Sequence, residues 1–313
     1  MTASGDRSAM IAALRHATPY IRLFKGEVFV LKAGGDVFAD AEAARRLMEQ
    51  IGILHQLGIR LVLVHGGGPQ STAIAGRLDL ETRMVDGRRV TNADTLEVST
   101  MALNGTVNTR ILALCRELQV PAVGLSGVAA GLVRARRRPP VTRSGGDRVD
   151  YGFVGDIIDV DPRVLRVQLD QGLLPVVSPL SCDDAGVVLN INADTVAASL
   201  AAALGARKLL LLTGAPGILR DREKPETLIS YVDRRELARL RDNGALAEGM
   251  LPKAAAIDAA IANGVERVHV ISHAQPDSLL LEIFTNEGTG TLIVDDIAAL
   301  TPAEQAAEAP TER

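Results

Sequence analysis

Residues 28–69 read VFVLKAGGDVFADAEAARRLMEQIGILHQLGIRLVLVHGGGP, and this stretch decides the fold. An apolar run from Val28 to Leu31 stops at Gly34-Gly35, and a helical stretch then opens at Asp40 and runs to about Leu57 before Gly58. A second apolar run, 60–64, stops at His65-Gly66-Gly67-Gly68-Pro69, where another helix should begin. Short apolar runs bounded by turn residues and separated by helix lengths mark strands covered on both faces. Further runs of this kind lie at 122–125, 174–177, 208–212 and 268–271. The alternation predicts an α/β fold with a mostly parallel sheet.

Outward from this core the organisation is simpler. A β-hairpin insertion is expected between 131 and 156, and the polar, turn-prone stretch 181–187 divides the chain into lobes at 27–180 and 181–297. Residues 1–26 form a helical extension with Met10, Ile11, Ala13 and Leu14 on one face. Pro19 should break or kink that helix before Tyr20 to Phe24 resumes it. The Ala/Glu/Pro-rich residues 298–313 read as a frayed tail.

The 313 residues are 47% apolar but only 3% aromatic, without Trp, so the core must be Leu, Val, Ile and Ala. A formal charge of -4 and a single basic cluster at 134–138, followed by prolines and glycines, give no footprint for nucleic acid and read as a solvated loop. Cys115 and Cys182 show no metal-ligand spacing and are expected to be free thiols. No apolar run approaches the ~20 residues of a membrane span, and the start MTASGDRS lacks the features of a signal peptide. A cytoplasmic protein with no membrane contact is expected.

Chemistry concentrates at the strand ends. The turns at Gly34-Gly35 and Gly66-Gly67-Gly68 offer N–H groups with no Cβ to block an anion, beside helix starts that favour negative charge. Neither turn fits the P-loop or the dinucleotide pattern. Lys32 ends a buried run and would carry its charge to the C-terminal edge of the sheet, where open α/β sheets bind ligands, or it would simply snorkel there. Lys253, behind Pro252, puts a cation at a helix start, against the macrodipole preference. Asp194, in the stretch 190–194 that opens another helix, could serve as a cap residue, accept hydrogen bonds from two ammonium groups, or both. Arg89 could grip a carboxylate with two parallel bonds. The sequence contains no HExxH and no Ser/His/Asp constellation, and no cluster reads as a metal site. His65 is expected to make a structural hydrogen bond.

In this order and spacing the segments resemble the amino acid kinase family, and within it the branch acting on N-acetyl-L-glutamate. The carrying pieces are 65–69, Gly152-Phe153-Val154-Gly155-Asp156, Leu189 to Asp194, Gly249 to Lys253, and Leu281-Glu282-Ile283-Phe284-Thr285. The resemblance implies a three-layer αβα sandwich and transfer of the ATP γ-phosphoryl group, with Mg²⁺, to a side-chain carboxylate. It makes Lys32 and Lys253 the cations facing the phosphoryl group, with Asp194 organising them. Gly67, Gly68, Arg89 and Asn190 would hold the amino-acid substrate, while Gly34, Gly35, Thr213, Gly214 and Gly217 would meet nucleotide and phosphates. The N-terminal helix resembles that of arginine-inhibited members built as dimers or hexamers, and Glu282, Gly288 and Gly290 would belong to an arginine effector site.

The chain departs from the family pattern at Val128 and Ala129, where a Lys-Asp pair is common, at Gly214, where Asp is common, and at Asp277, where a His is expected. A kinase for an aminoadipate-type substrate would share every phosphate-handling residue. An inactive arginine-sensing homologue is the reading from a different class.

Overall fold

The computed structural model describes residues 3–300 apart from 86, 87, 143–145, 222, 245, 247 and 287. Eight strands form one sheet: β1 (Val28–Ala33), β2 (Arg60–His65), β3 (Ala122–Ser126), β4 (Leu174–Ser178), β5 (Lys208–Thr213), β6 (Tyr231–Asp233), β7 (Arg267–Ser272) and β8 (Thr291–Val294). Their order is β6-β8-β7-β5-β1-β2-β4-β3, and every pairing is parallel except β7 with β8. The six predicted runs are all strands. The short strands β6 and β8 were not anticipated, because three or four residues give no clear period.

Among the described residues ten α-helices accompany the sheet: α1 (Ala3–Phe24), α2 (Ala41–Gln56), α3 (Gly68–Arg77), α4 (Ala93–Thr100), α5 (Thr109–Glu117), α6 (Arg163–Asp170), α7 (Ala193–Leu204), α8 (Arg234–Asp242), α9 (Leu251–Ala262) and α10 (Ser278–Phe284). The strand period of two sorts the core. Phe29, Leu31 and Ala33 of β1 pack with Leu47 and Ile51 of α2, Ile111 of α5 and Ile283 of α10. Val30 points to the other side, where Leu165, Val196, Leu237 and Ile257 of α6 to α9 lie. Two apolar layers therefore flank one sheet, as a three-layer αβα sandwich requires.

A second, four-stranded sheet joins Val133–Arg137 and Gly155–Val160 to the hairpin Leu180–Cys182/Val188–Asn190. The expected insertion between 131 and 156 is part of it, and the antiparallel pair Val141–Thr142/Arg148–Val149 extends it. The turn-prone stretch 181–187 carries the turn of the 180–190 hairpin.

Local signals hold at several helix ends. The Asp40 carboxylate accepts from the N–H groups of Glu42 at 2.8 Å and Ala43 at 3.0 Å, capping α2, as its residue type favours. Asn192 caps α7, accepting from Asp194 and Thr195 at 2.9 and 3.1 Å, and Gly205 ends it in the left-handed conformation. The expected break at Pro19 does not occur. Helix α1 runs through it, because the segment beyond is held by tertiary contacts: Tyr20 donates to Asn286 at 2.6 Å and Phe24 packs edge-on to Phe29. Such packing offsets the roughly 3 kcal/mol that an interior proline costs. Ile11 and Leu14 of α1 are exposed. Residues 301–313, most of the expected tail, lie outside the described residues.

Between α4 and α5 the helix widens into π-helical turns over Met101–Asn108. From this segment Asn108 donates to His65 Nε2 at 3.1 Å and to the Val176 carbonyl at 3.0 Å. Asn104 accepts from Ser178.

Candidate active site

The C-terminal ends of β1 and β2 are adjacent, so their glycine turns lie side by side. A Cβ on Gly35 would stand 2.7 Å from Gly67 Cα and 2.6 Å from Gln70 Oε1. Only glycine permits this backbone contact. Gln70, one turn into α3, ties the two turns together by donating to the Gly35 carbonyl at 2.6 Å. His65 below them is fully buried, and burial pushes its pKa down to about 4, so it is a neutral hydrogen-bonding strut between Gly66 and Asn108. The structural role expected of it holds.

Lys32 shares the Val30 side of β1, because alternate residues face alternate layers. It therefore meets the start of α7. Its Nζ lies 3.1 Å from Asp194 Oδ1, and Lys253 Nζ, from the first turn of α9, lies 2.8 Å from the same oxygen. All three side chains are about nine-tenths buried, at 12%, 10% and 8% exposure for Lys32, Asp194 and Lys253. Burial alone would raise the Asp194 pKa, but the two ammonium charges and their hydrogen bonds hold it below its ordinary value. Lys253 is pushed down by burial and by Lys32, with Asp194 offsetting part of that. Two cations share the Asp194 oxygen, with the more exposed Asp36 a second carboxylate whose charge reaches them, and two largely buried ammonium groups suit a phosphoryl group. Asp194 is not the cap of α7; Asn192 has that role.

Beside the glycine turns is a cavity of about 170 Å³ lined by Gly67, Gly68, Arg89 and Asn190 together with Ser99 and Leu103. The four residues expected to hold the amino-acid substrate are thus brought together. Arg89 is aimed by three acceptors, Thr72 Oγ1 at 2.8 Å, Thr82 Oγ1 at 3.1 Å and the Gly68 carbonyl at 3.2 Å. Asn190 leans on Thr91 Oγ1 at 3.4 Å. Ser99 and Leu103 were not singled out from sequence, since nothing marks them until the helix is placed against the cavity.

The nucleotide residues divide. Gly34 and Gly35 leave β1, and Thr213 and Gly214 leave β5, its neighbour. Gly217 is buried against Leu228 and Thr291, with no room for a Cβ, so its place is inside the loop rather than at its surface. Among the described residues no cluster of three or more His, Cys, Asp or Glu side chains could hold a metal.

Glu282 and Gly288 belong elsewhere, with Gly290, around a separate cavity of about 390 Å³ between the end of α1 and the β7–β8 region. Glu282 accepts from His269 Nδ1 at 2.6 Å and from the Thr289 N–H at 2.6 Å. Lys208 Nζ approaches the other ring nitrogen of His269 at 3.0 Å and stands 5.2 Å from the Phe24 ring centroid. Burial and Lys208 push the His269 pKa down to about 4. Burial would raise that of Glu282, but His269, the Thr289 N–H and Lys208 hold it at about 2. A neutral imidazole therefore relays between a cation and a carboxylate. Asp277, standing where a His was expected, is exposed; the histidine facing Glu282 is His269, a polar residue in a buried strand.

The profile of the Amino acid kinase family matches residues 27–272. The chain is 47% identical over 292 residues to the acetylglutamate kinase of Myxococcus xanthus, covering 92% of this chain and 95% of that one. Among solved structures it resembles the N-acetylglutamate synthase of Neisseria gonorrhoeae in complex with coenzyme A and N-acetyl-glutamate, with a TM-score of 0.79 and 31% identity over 91% of this chain. The match spans 63% of the length of that synthase. The same synthase in complex with coenzyme A and L-arginine matches with a TM-score of 0.76 and 28% identity.

Proposed function

The chain belongs to the amino acid kinase family, and we propose on that footing that it transfers the γ-phosphoryl group of ATP to the γ-carboxylate of N-acetyl-L-glutamate, a step of arginine biosynthesis. The observation that carries this is the single Asp194 oxygen shared by Lys32 and Lys253 beside the cavity of Gly67, Gly68, Arg89 and Asn190.

The substrate carboxylate is ionised at neutral pH, so no general base is required. One carboxylate oxygen forms a bond to the γ-phosphorus while the bond from that phosphorus to the β,γ-bridging oxygen breaks, and ADP leaves with the electron pair. The site has to position the two oxygens in line and neutralise charge. Lys32 and Lys253 supply the charge, and Asp194 fixes where it sits. The N–H groups of the two glycine turns receive phosphoryl oxygens, and Arg89 with Asn190 anchors the N-acetylglutamate. The burial of this trio keeps the lysine charges out of bulk water, and an acyl phosphate calls for a closed, dry site around them.

A magnesium ion would arrive on the nucleotide, since Mg²⁺ is usually held by phosphate oxygens and water with few protein ligands. Bound there, it would neutralise the β- and γ-phosphates. Residues 27–180 would form the amino-acid half and 181–297 the nucleotide half, with Thr213, Gly214 and Gly217 in the latter. The cavity of Glu282, His269 and Lys208 would receive arginine as an effector, and the family reading together with the L-arginine complex of the synthase supports this. The exposed Ile11 and Leu14 of α1 suit a homo-oligomer, a dimer or a hexamer, in which that face is covered. Among the described residues no helix is long and apolar enough to cross a membrane, in keeping with a cytoplasmic enzyme.

The test is ADP release with Mg-ATP and N-acetyl-L-glutamate beside glutamate, N-acetylaspartate and an aminoadipate derivative, with hydroxylamine trapping the acyl phosphate. Turnover confined to N-acetylglutamate, and lost in Lys32→Ala and Lys253→Ala, is expected. Turnover on the aminoadipate derivative would discard the substrate, and no turnover on any of them would discard the reaction.

A further inference from the structure

Three neighbouring strand ends meet at one edge of the sheet: Ala33 of β1 pairs with Leu212 of β5, and Thr213 of β5 with Ser272 of β7. The first residues beyond them carry a contact that joins the two halves of the chain. His273 Nε2 lies 2.8 Å from Asp36 Oδ2. The His273 N–H donates to the Thr213 carbonyl at 2.9 Å, which holds the imidazole above Gly214, with Nε2 3.9 Å from where a Cβ on that glycine would stand. Asp36 folds back over its own turn, so that a Cβ on Gly34 would collide with the carboxylate.

We propose that His273, steadied by Asp36, is a phosphate-binding residue for the nucleotide. The inference rests on the ATP-dependent reading above. Thr213, Gly214 and the Gly34-Gly35 turn form the floor along which a nucleotide's phosphates would lie, and the imidazole stands directly over it. A bare carboxylate on this floor would repel a polyanion. Donation from Nε2 to Asp36 absorbs that charge and fixes the ring, and the hydrogen bond is the leading cause of the lowered Asp36 pKa. The other ring nitrogen, Nδ1, makes no hydrogen bond among the described residues. A phosphate oxygen at Nδ1 would place one acceptor on each ring nitrogen, with Asp36 holding Nε2. The His273 side chain is 16% exposed and Asp36 54%, so the ring is shielded enough for a charge-assisted bond to count while the approach stays open. Nothing bulky competes for the space, because residue 214 is glycine.

Two amide replacements separate this role from that of a mere strut. His273→Gln places a donor near the Nε2 position and can keep the Asp36 contact, but it leaves nothing at Nδ1. His273→Asn places a donor near the Nδ1 position and gives up Asp36. Calorimetric titration of the full chain with ADP and, separately, with adenosine reads the difference. The expected result is a loss of about tenfold in ADP affinity for His273→Gln and His273→Ala, as one charge-assisted hydrogen bond is worth. The loss for His273→Asn should be smaller, and adenosine binding and the KM for N-acetylglutamate should be unchanged in all three. A glutamine variant that binds ADP as well as the wild type, or adenosine affinity that falls in step with ADP, would overturn the inference. A wild-type chain that binds no ADP would overturn the ATP-dependent reading along with it, whereas the other two results touch this inference alone.

Discussion

Replacing Asp194 by Asn changes one charge and almost no volume, and the structure says what that charge does. Two ammonium groups, 3.1 and 2.8 Å from Oδ1, would face a neutral amide in a site about nine-tenths buried. Removing one partner of a buried ion pair typically costs about 3–5 kcal/mol, and at roughly 2–4 °C per kcal/mol for a large domain the melting point should fall by about 10 °C. The helix cap is untouched, since Asn192 supplies it. The deficit should shrink as pH rises. Lys253 already has a lowered pKa in the folded chain, and losing Asp194 lowers it further. Across the window between that value and the unfolded lysine value, the unfolded state then binds more protons than the folded one, so the variant gains stability with pH relative to the wild type. Turnover should drop by about a hundredfold or more, the usual effect of losing a preorganised charge at a reacting centre. Melting curves at pH 7, 8 and 9 and ADP release at saturating substrates measure both effects. A melting point within about 2 °C of wild type, flat in pH and with turnover preserved, would refute the assignment of Asp194 as the organiser of the two lysines.

Gly35→Ala should weaken ATP binding by about tenfold or more and destabilise the chain, because its Cβ would meet Gly67 Cα and Gln70 Oε1; ADP titration and a melting curve check it. Arg89→Lys should raise the KM for N-acetylglutamate by about tenfold and leave that for ATP unchanged, since lysine cannot span the three acceptors that aim the guanidinium. His65 and His269 are buried neutral with pKa values of about 4, so below the ordinary value of about 6.5 the unfolded state binds protons that the folded state refuses. Stability should therefore fall between about pH 6.5 and 4, by up to about 1.4 kcal/mol per pH unit for each ring; urea midpoints at pH 7 and 5 measure this, and His65→Gln should reduce the slope. Millimolar arginine should inhibit the wild type and not Glu282→Gln, and equal rates with and without arginine in the wild type would reject the effector site.

The chain announced its sheet because the central strands are buried on both faces and so appear as unbroken apolar runs, as at 60–64, while the half-buried edge strand at 122–126 still carries a short apolar run. It was silent on β6 and β8, whose three and four residues are too few to show a period. Lys32 and Lys253 stood out because a cation after a buried run or at a helix start is locally unfavourable, whereas an acid such as Asp194 at a helix start is locally ordinary and was marked by the resemblance. That all three share one oxygen is a fact of the third dimension, since 162 residues separate Lys32 from Asp194. Asp36 and His273, 237 residues apart, gave no signal at all: neither is unusual where it stands until β5 is seen to run between their turns. Pro19 misled for the opposite reason. Its local preference is real, and the packing of Tyr20 and Phe24 overrules it.

The π-helical turns at Met101–Asn108 carry a consequence for how this chain can change over evolutionary time. Along this helix Ser99 and Leu103 reach the cavity wall and Asn108 reaches His65. A π turn holds about one residue more than an α turn, so loss of a single residue between Leu103 and Asn108 can be absorbed by winding the stretch as ordinary α-helix, with its two ends kept nearly in phase. Loss of a residue from the regular helix on either side has no such outlet, and would rotate one end by about 100° against the other. The widened turns are thus the place where this helix can change its length at least cost to the substrate site.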